Sequence, residues 1–170
     1  ILRYHDPRRF GAILWTIDEP SRHPLLASLG VEPLSNDFTA CYLKQKAGAR
    51  RIAIKSFIMD SHIVVGIGNI YAAEALFLAK IHPTKPAGTL NLEQCEQLVN
   101  SIQEVLQAAI TQGGTTLKDF VNSEGKPGYF AQKLNVYGRA GLPCVICETP
   151  LKGFMLGQRN TVFCEHCQSV

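Results

Sequence analysis

Four cysteines constrain this chain more than any other feature. Cys144 and Cys147, then Cys164 and Cys167, form the pattern C-x2-C-x16-C-x2-C. Two residues between paired cysteines permit a tight knuckle with both thiolates aimed at one ion, and two knuckles complete a tetrahedral sulfur site suited to zinc. Four protein ligands leave no open position, so one structural Zn2+ is predicted. A segment of about 30 residues cannot bury enough core to fold unaided, and the metal supplies the missing free energy. Disulfides are the alternative, but nothing in the sequence suggests secretion and closely paired cysteines suit a metal better. His166 lies inside the second knuckle and is redundant beside four thiolates. Cys41 and Cys95 fall on predicted helical faces as ordinary buried thiols.

The sixteen residues between the knuckles read as a hairpin: strand 154–156, turn 157–160, strand 161–163. Arg159 falls in that turn. A guanidinium on a metal-pinned tip matches two phosphate oxygens at low ordering cost, although a lone surface arginine is commonly just solvated.

Residues 61–77, SHIVVGIGNIYAAEALF, hold the second informative pattern. Gly66 and Gly68 break one predicted helix, and another starts near Asn69. Glycines let the backbone turn tightly, and a helix start offers N–H groups with partial positive charge, as an anion site requires. The plainer reading of this stretch alone is a tight helix–helix corner; both readings stay open.

The rest of the chain is mainly helical. Residues 21–35, punctuated by Pro24, Gly30 and Pro33, read as a short helix between turns; Asp37 is placed to cap a segment through Lys46; Ile52, Phe57 and Ile58 give the next helix its buried side. A third helix runs over 69–80. The clearest begins at Asn91, with Gln94 at the capping-box distance, apolar residues every three or four positions, and Gly113 and Gly114 at its end. A bundle of four or five helices is expected, its apolar stripes forming core. Between 115 and 143 the helical signal stops; Gly125, Pro127 and Gly128 make residues 122–132 an exposed loop, either functional or a connector.

Residues 1–5 and 11–17 look like two short strands joined by DPRRFG. Such a pair is marginal alone, and Leu2, Ile13 and Trp15 need a partner surface, so an N-terminal domain is expected to be missing from the chain. Net charge is +3, permissive for an acidic partner without resembling a basic tail. Basic residues gather at Arg3, Arg8 and Arg9, at Lys44, Lys46, Arg50, Arg51 and Lys55, and at Lys152 and Arg159. Such clusters also occur as solvated faces. No run of about 18 apolar residues exists, and the charged first residues do not suit a signal peptide, which supports an intracellular protein.

Taken together, YHDPRRFG, IKSFIMDSHIVVGIGNIYAAEALF, GGTTLKDFVNSEGKPGYFAQKLNVYGR and the cysteine module resemble, in order and over essentially the whole chain, the bacterial formamidopyrimidine-DNA glycosylases. The resemblance implies base-excision repair of double-stranded DNA carrying an oxidised purine such as 8-oxoguanine, by a DNA glycosylase that is also an AP lyase. It implies a mainly α fold with a small β part: a helix-two-turn-helix bundle, then a zinc-finger β-hairpin, with two strands left over from a missing N-terminal β-sandwich. Residues 1–20 would be those remnant strands, 21–138 the helical domain with a lesion-recognition loop at 115–132, and 139–170 the zinc finger. By resemblance Asn69, Lys55 and Arg159 bind phosphates near the lesion. Arg8 reads the base opposite the lesion and Phe10 wedges into the stack, filling the hole that a flipped nucleotide leaves. A monomer in the bacterial cytoplasm, at the nucleoid when bound, is expected.

The family's catalysis, as the resemblance implies, uses an N-terminal proline nucleophile followed by an acidic residue, forming a Schiff base with the sugar. No such pair occurs in this chain, so no catalytic residue is assigned and the 170 residues alone are expected to be inactive. Three alternatives stand beside this reading. One is a stand-alone zinc-stabilised DNA-binding module and one a protein-binding zinc ribbon. The third is an endonuclease VIII-like enzyme for oxidised pyrimidines, against which the 115–132 loop argues, since that branch generally lacks it.

Overall fold

A computed structural model describes residues 4, 6, 11–114 and 134–169. Among them five α-helices precede one β-hairpin: α1 (Pro24–Ala27), α2 (Ala40–Ala47), α3 (Ile54–Ile58), α4 (Asn69–Leu78), α5 (Leu92–Thr111), β1 (Lys152–Leu156) and β2 (Arg159–Phe163), with single 3-10 turns at Pro20–Arg22 and Ala87–Thr89. The mainly helical fold with a C-terminal hairpin is the one expected.

The longest helix has the clearest local cause. Asn91 Oδ1 accepts the Gln94 backbone N–H at 2.8 Å and the Gln94 side chain accepts the Asn91 N–H at 3.2 Å, so the capping box closes as its sequence predicts. Cys95, Leu98, Val99, Ile102, Val105, Leu106 and Ala109 then form one buried face. Gly113 and Gly114, at φ 73° and 92°, end the helix in conformations that disfavour side chains.

Helix α4 is the wall between two cores. Ala72, Ala75 and Leu76 face a large cluster with α2, α3 and α5, including Leu43, Phe57 and Leu98. Ala73 and Phe77, one turn apart on the other side, face a second cluster of Val136, Leu151, Val162, Cys144 and Cys164. A helix apolar on nearly every side has to be buried on nearly every side, and this one is. Its end is closed by Lys80 at φ 56°, with Ile81 N–H donating to Leu76 O at 3.0 Å, so it stops at Leu78 and not at Lys80.

Several local expectations are corrected. Thr39, not Asp37, caps α2, its hydroxyl accepting the Tyr42 N–H at 3.1 Å. Ile52 precedes α3 and is exposed, because the chain there bonds to residues 85–87 instead of continuing a helix. Cys41 is exposed on α2, while Cys95 is buried as expected. Residues 11–17 form no strand, and Trp15 and Ile17 are 92% and 94% exposed. A strand exists through its neighbour, and among the described residues none offers this stretch an edge. Most of residues 1–5 and all of the 115–132 loop lie outside the described residues.

Candidate nucleic-acid interface

The four expected metal ligands come together. Cys144, Cys147, Cys164 and Cys167 place their sulfurs within 4.8 Å of one another, with separations of 3.9, 3.4 and 3.4 Å for three of the pairs. A zinc ion bonded to four sulfurs at about 2.3 Å needs sulfur–sulfur edges of about 3.8 Å, so the cluster fits one tetrahedral ion. Burial raises the Cys164 and Cys167 thiols, while hydrogen bonds from Thr149 hold Cys147 down to about 6. Four thiols this close suit a cation among them far better than four protons. His166 stands outside the cluster.

The hairpin that this site pins is tighter than the sequence suggests. Leu156 pairs with Arg159, which leaves only Gly157 and Gln158 in the turn, at φ 53° and 61°. Both central residues lie in the left-handed region, as a two-residue turn matched to strand twist requires. Arg159 is therefore the first residue of β2 and not part of the turn. Its guanidinium reaches Met59 at the end of α3, with Nη1 3.9 Å from Sδ.

Helices α3 and α4 meet the hairpin at the same place. Lys55 is 1% exposed; its Nζ lies 2.8 Å from Thr161 Oγ1 and 3.3 Å from the Asn160 carbonyl. The Asn69 side chain donates to that same carbonyl at 3.0 Å. Burial, and then the positive charge of Arg159, lower the Lys55 amine to about 8. A cavity of about 250 Å³ opens here, lined by Lys55, Ser56, Met59, Leu156, Gly157 and Arg159. Asn69 Oδ1 is buried with no hydrogen-bond partner. Lys55, Asn69 and Arg159, distant in sequence, thus form one cationic and polar cluster.

The glycine corner supplies the adjoining surface. Gly66 takes φ 76°, a turn conformation suited to glycine. Gly68, before α4, has an ordinary φ of −89°, and a Cβ built there meets nothing within 4 Å. Neither backbone strain nor internal packing demands glycine at 68, whereas an external group approaching the α4 start closely would.

Three other lysines are engaged within the chain. Lys44 donates to the Leu90 and Gly88 carbonyls, Lys46 lies 5.5 Å from the Tyr42 ring centroid, and Lys152 pairs with Glu165 at 2.6 Å. Arg8 and Phe10 lie outside the described residues. Sequence reasoning missed Thr161, the Asn160 carbonyl and Glu74. Glu74 is 1% exposed and accepts from Asn135 N and Nδ2, Val136 N and Tyr137 N at 2.8–3.0 Å, tying α4 to the segment that enters the zinc finger. A single acid amid Ala72, Ala73, Ala75 and Leu76 was the available signal, since a carboxylate in an apolar run needs donors.

Comparison with known proteins agrees with this architecture. Residues 29–121 match the family described as formamidopyrimidine-DNA glycosylase H2TH domain, and residues 141–170 match the zinc finger found in FPG and IleRS. The formamidopyrimidine-DNA glycosylase of Teredinibacter turnerae is 59% identical over 169 residues, covering 99% of this chain and 62% of that protein. That of Methylococcus capsulatus is 58% identical over 167 residues, with 98% and 62% coverage. Among solved structures, the MutM (FPG) protein of Thermus thermophilus superposes with a TM-score of 0.88 at 40% identity, over 96% of this chain and 63% of that one. Lactococcus lactis Fpg, in complex with DNA containing an abasic site, gives 0.79 at 34% identity, over 86% and 54%. The chain spans about three-fifths of the length of such relatives. With its helical region, its four-cysteine hairpin and the order of the two all matched, this chain belongs to the formamidopyrimidine-DNA glycosylase family.

Proposed function

We propose that this chain is the DNA-gripping part of a base-excision-repair enzyme, a bifunctional DNA glycosylase and AP lyase that removes oxidised purines, 8-oxoguanine and formamidopyrimidines among them, from double-stranded DNA. The observation that carries the reading is the meeting of Lys55, Asn69 and Arg159 around one zinc-pinned hairpin. A lysine, a guanidinium fork, an amide and an open helix start together suit the closely spaced anionic oxygens of a phosphate backbone. The zinc holds β1 and β2 in register, so Arg159 and the Asn160 carbonyl are fixed before DNA arrives and little ordering cost remains. DNA is preferred to other polyanions because the Lactococcus relative was solved on DNA containing an abasic site.

Excision needs a nucleophile for C1′ of the damaged nucleotide, and the proline–acid pair that the family resemblance assigns to this task is absent from these 170 residues. Their part is positional: Lys55, Asn69 and Arg159 hold the strand, Arg8 reads the base opposite the lesion, and Phe10 occupies the vacated stack. Such a protein works as a monomer in the bacterial cytoplasm.

A salt titration on duplex DNA tests the grip. Affinity should fall log-linearly with salt, losing about 0.9 in slope for each phosphate contact removed by mutation. Binding that is undetectable at low salt, or indifferent to salt, rules the grip out. Borohydride in the presence of 8-oxoguanine DNA tests the division of labour: the 170 residues should give no trapped adduct.

A further inference from the structure

Thr161 has no place in the reading above, yet it is almost fully buried, at 1% exposure, where the hairpin meets α3. Its hydroxyl is used in both directions. The proton points to the Arg159 carbonyl at 3.3 Å, and the oxygen faces Lys55 Nζ at 2.8 Å. Lys55 Nζ has a second acceptor in the Asn160 carbonyl at 3.3 Å. An ammonium has three N–H donors, so these two leave one for the cavity shared with Ser56 and Arg159. Without fixed acceptors, a four-carbon side chain ending in a buried cation would either lose its proton or swing outward.

We propose that Thr161 is a positioning residue for Lys55: its buried hydroxyl keeps the ammonium charged and aims the remaining N–H at the phosphate site. This inference rests on Lys55 being a phosphate contact. It gives the zinc hairpin a second task, because the strand that presents Arg159 outward also holds Lys55 from behind. The charged side chain facing Lys55 is Arg159, which opposes its protonation; Asn69 from α4 and Thr161 from β2 meet the same corner with neutral polar groups. Two cations share one small site, so an acceptor that favours the charged lysine has a direct electrostatic role there.

The test compares the zinc-loaded protein with Thr161→Val, which keeps the shape without the hydroxyl, and Thr161→Ser, which keeps the hydroxyl. Duplex affinity is measured against pH and salt, and the Lys55 amine is titrated without DNA by ¹³Cε NMR. In Thr161→Val the Lys55 midpoint should fall by about one pH unit, as expected for losing one hydrogen bond to a charged group. DNA affinity should drop about fivefold at pH 8 and recover toward pH 6. Thr161→Ser should restore both. Superimposable profiles for Thr161→Val and the parent overturn the proposal, and so does a serine variant as defective as the valine one. Parent protein that shows no salt-dependent binding overturns the phosphate reading and the positioning role with it, while the NMR midpoints still report the Thr161–Lys55 contact separately. If the valine variant loses zinc, Thr161→Ala takes its place, and a Lys55 midpoint and pH profile unchanged from the parent in that zinc-loaded variant overturn the proposal.

Discussion

Glu74 Oε2 accepts both the backbone N–H and the side-chain N–H of Asn135, at 2.8 and 3.0 Å, while Oε1 accepts the N–H groups of Val136 and Tyr137. One carboxylate in the middle of α4 thus satisfies four donors from the segment leading into the zinc finger. Glu74→Gln would replace two acceptor oxygens by one and set an amide donor against N–H groups. Loss of about 2–4 kcal/mol is expected, since charged hydrogen bonds are lost and buried donors left unpaired. Denaturant unfolding followed by chevron or equilibrium midpoints measures this, with zinc content as the control.

If Lys55 is the proposed phosphate contact, it links pH to binding and to stability in opposite senses. Its folded value, about 8, lies below the ordinary 10.5, so in the window between them the unfolded chain holds the extra proton. Stability attributable to Lys55 therefore rises as pH climbs through that window, whereas the cation proposed to grip phosphate is present below about 8 and lost above it. Lys55→Met should flatten the affinity–pH curve near 8 and lower affinity about ten- to hundredfold at neutral pH. Its stability should hold or rise, because a buried charge becomes an apolar chain of similar length. Fluorescence anisotropy on duplex DNA and thermal melts across pH separate the two effects.

Gly68 distinguishes internal need from external approach. Its φ is ordinary and a Cβ there meets nothing, so Gly68→Ala should fold with a loss of about 0.5–1 kcal/mol, the usual difference between these residues at a helix N-cap. DNA affinity should fall much further, at least tenfold, if a phosphate packs against that backbone. Equal small changes in both assays would show that the corner is only a corner.

Metal removal should break the interface before it breaks the bundle. The hairpin carries Arg159, the Asn160 carbonyl and Thr161, and it is held by the four sulfurs together with Gln168, whose side chain bridges Cys164 N and Ile81 O at 2.9 and 3.0 Å. Chelation should release about one zinc per chain, abolish salt-dependent DNA binding and expose the amides of β1 and β2 to exchange. Amides of α5, which packs on α2 and α4, should stay protected. Atomic absorption and hydrogen-exchange mass spectrometry read these outcomes.

Features whose physics is local were legible in the sequence. The C-x2-C pairs place two thiolates on one knuckle whatever surrounds them; Asn91 and Gln94 close a capping box within a single turn; Gly66 turns the chain through its own backbone freedom, although the helix it was expected to break, α3, already ends at Ile58. Lys55, Asn69 and Arg159 were named by family resemblance, but only the tertiary structure gathered them at one corner, Lys55 and Arg159 lining a shared cavity and Lys55 and Asn69 sharing the Asn160 carbonyl, because their proximity depends on how α3, α4 and the hairpin pack. Packing also decided which lysines are spent internally, as Lys44 is on Leu90, and why residues 11–17 form no strand, since pairing belongs to two segments and not to one. Glu74 stood out only as a lone acid in an apolar run, and the partners of Glu74 and Thr161 were not legible for the same reason. A buried polar side chain acquires its meaning from the donors and acceptors placed around it, and those come from residues roughly 60 and 100 positions away in the chain.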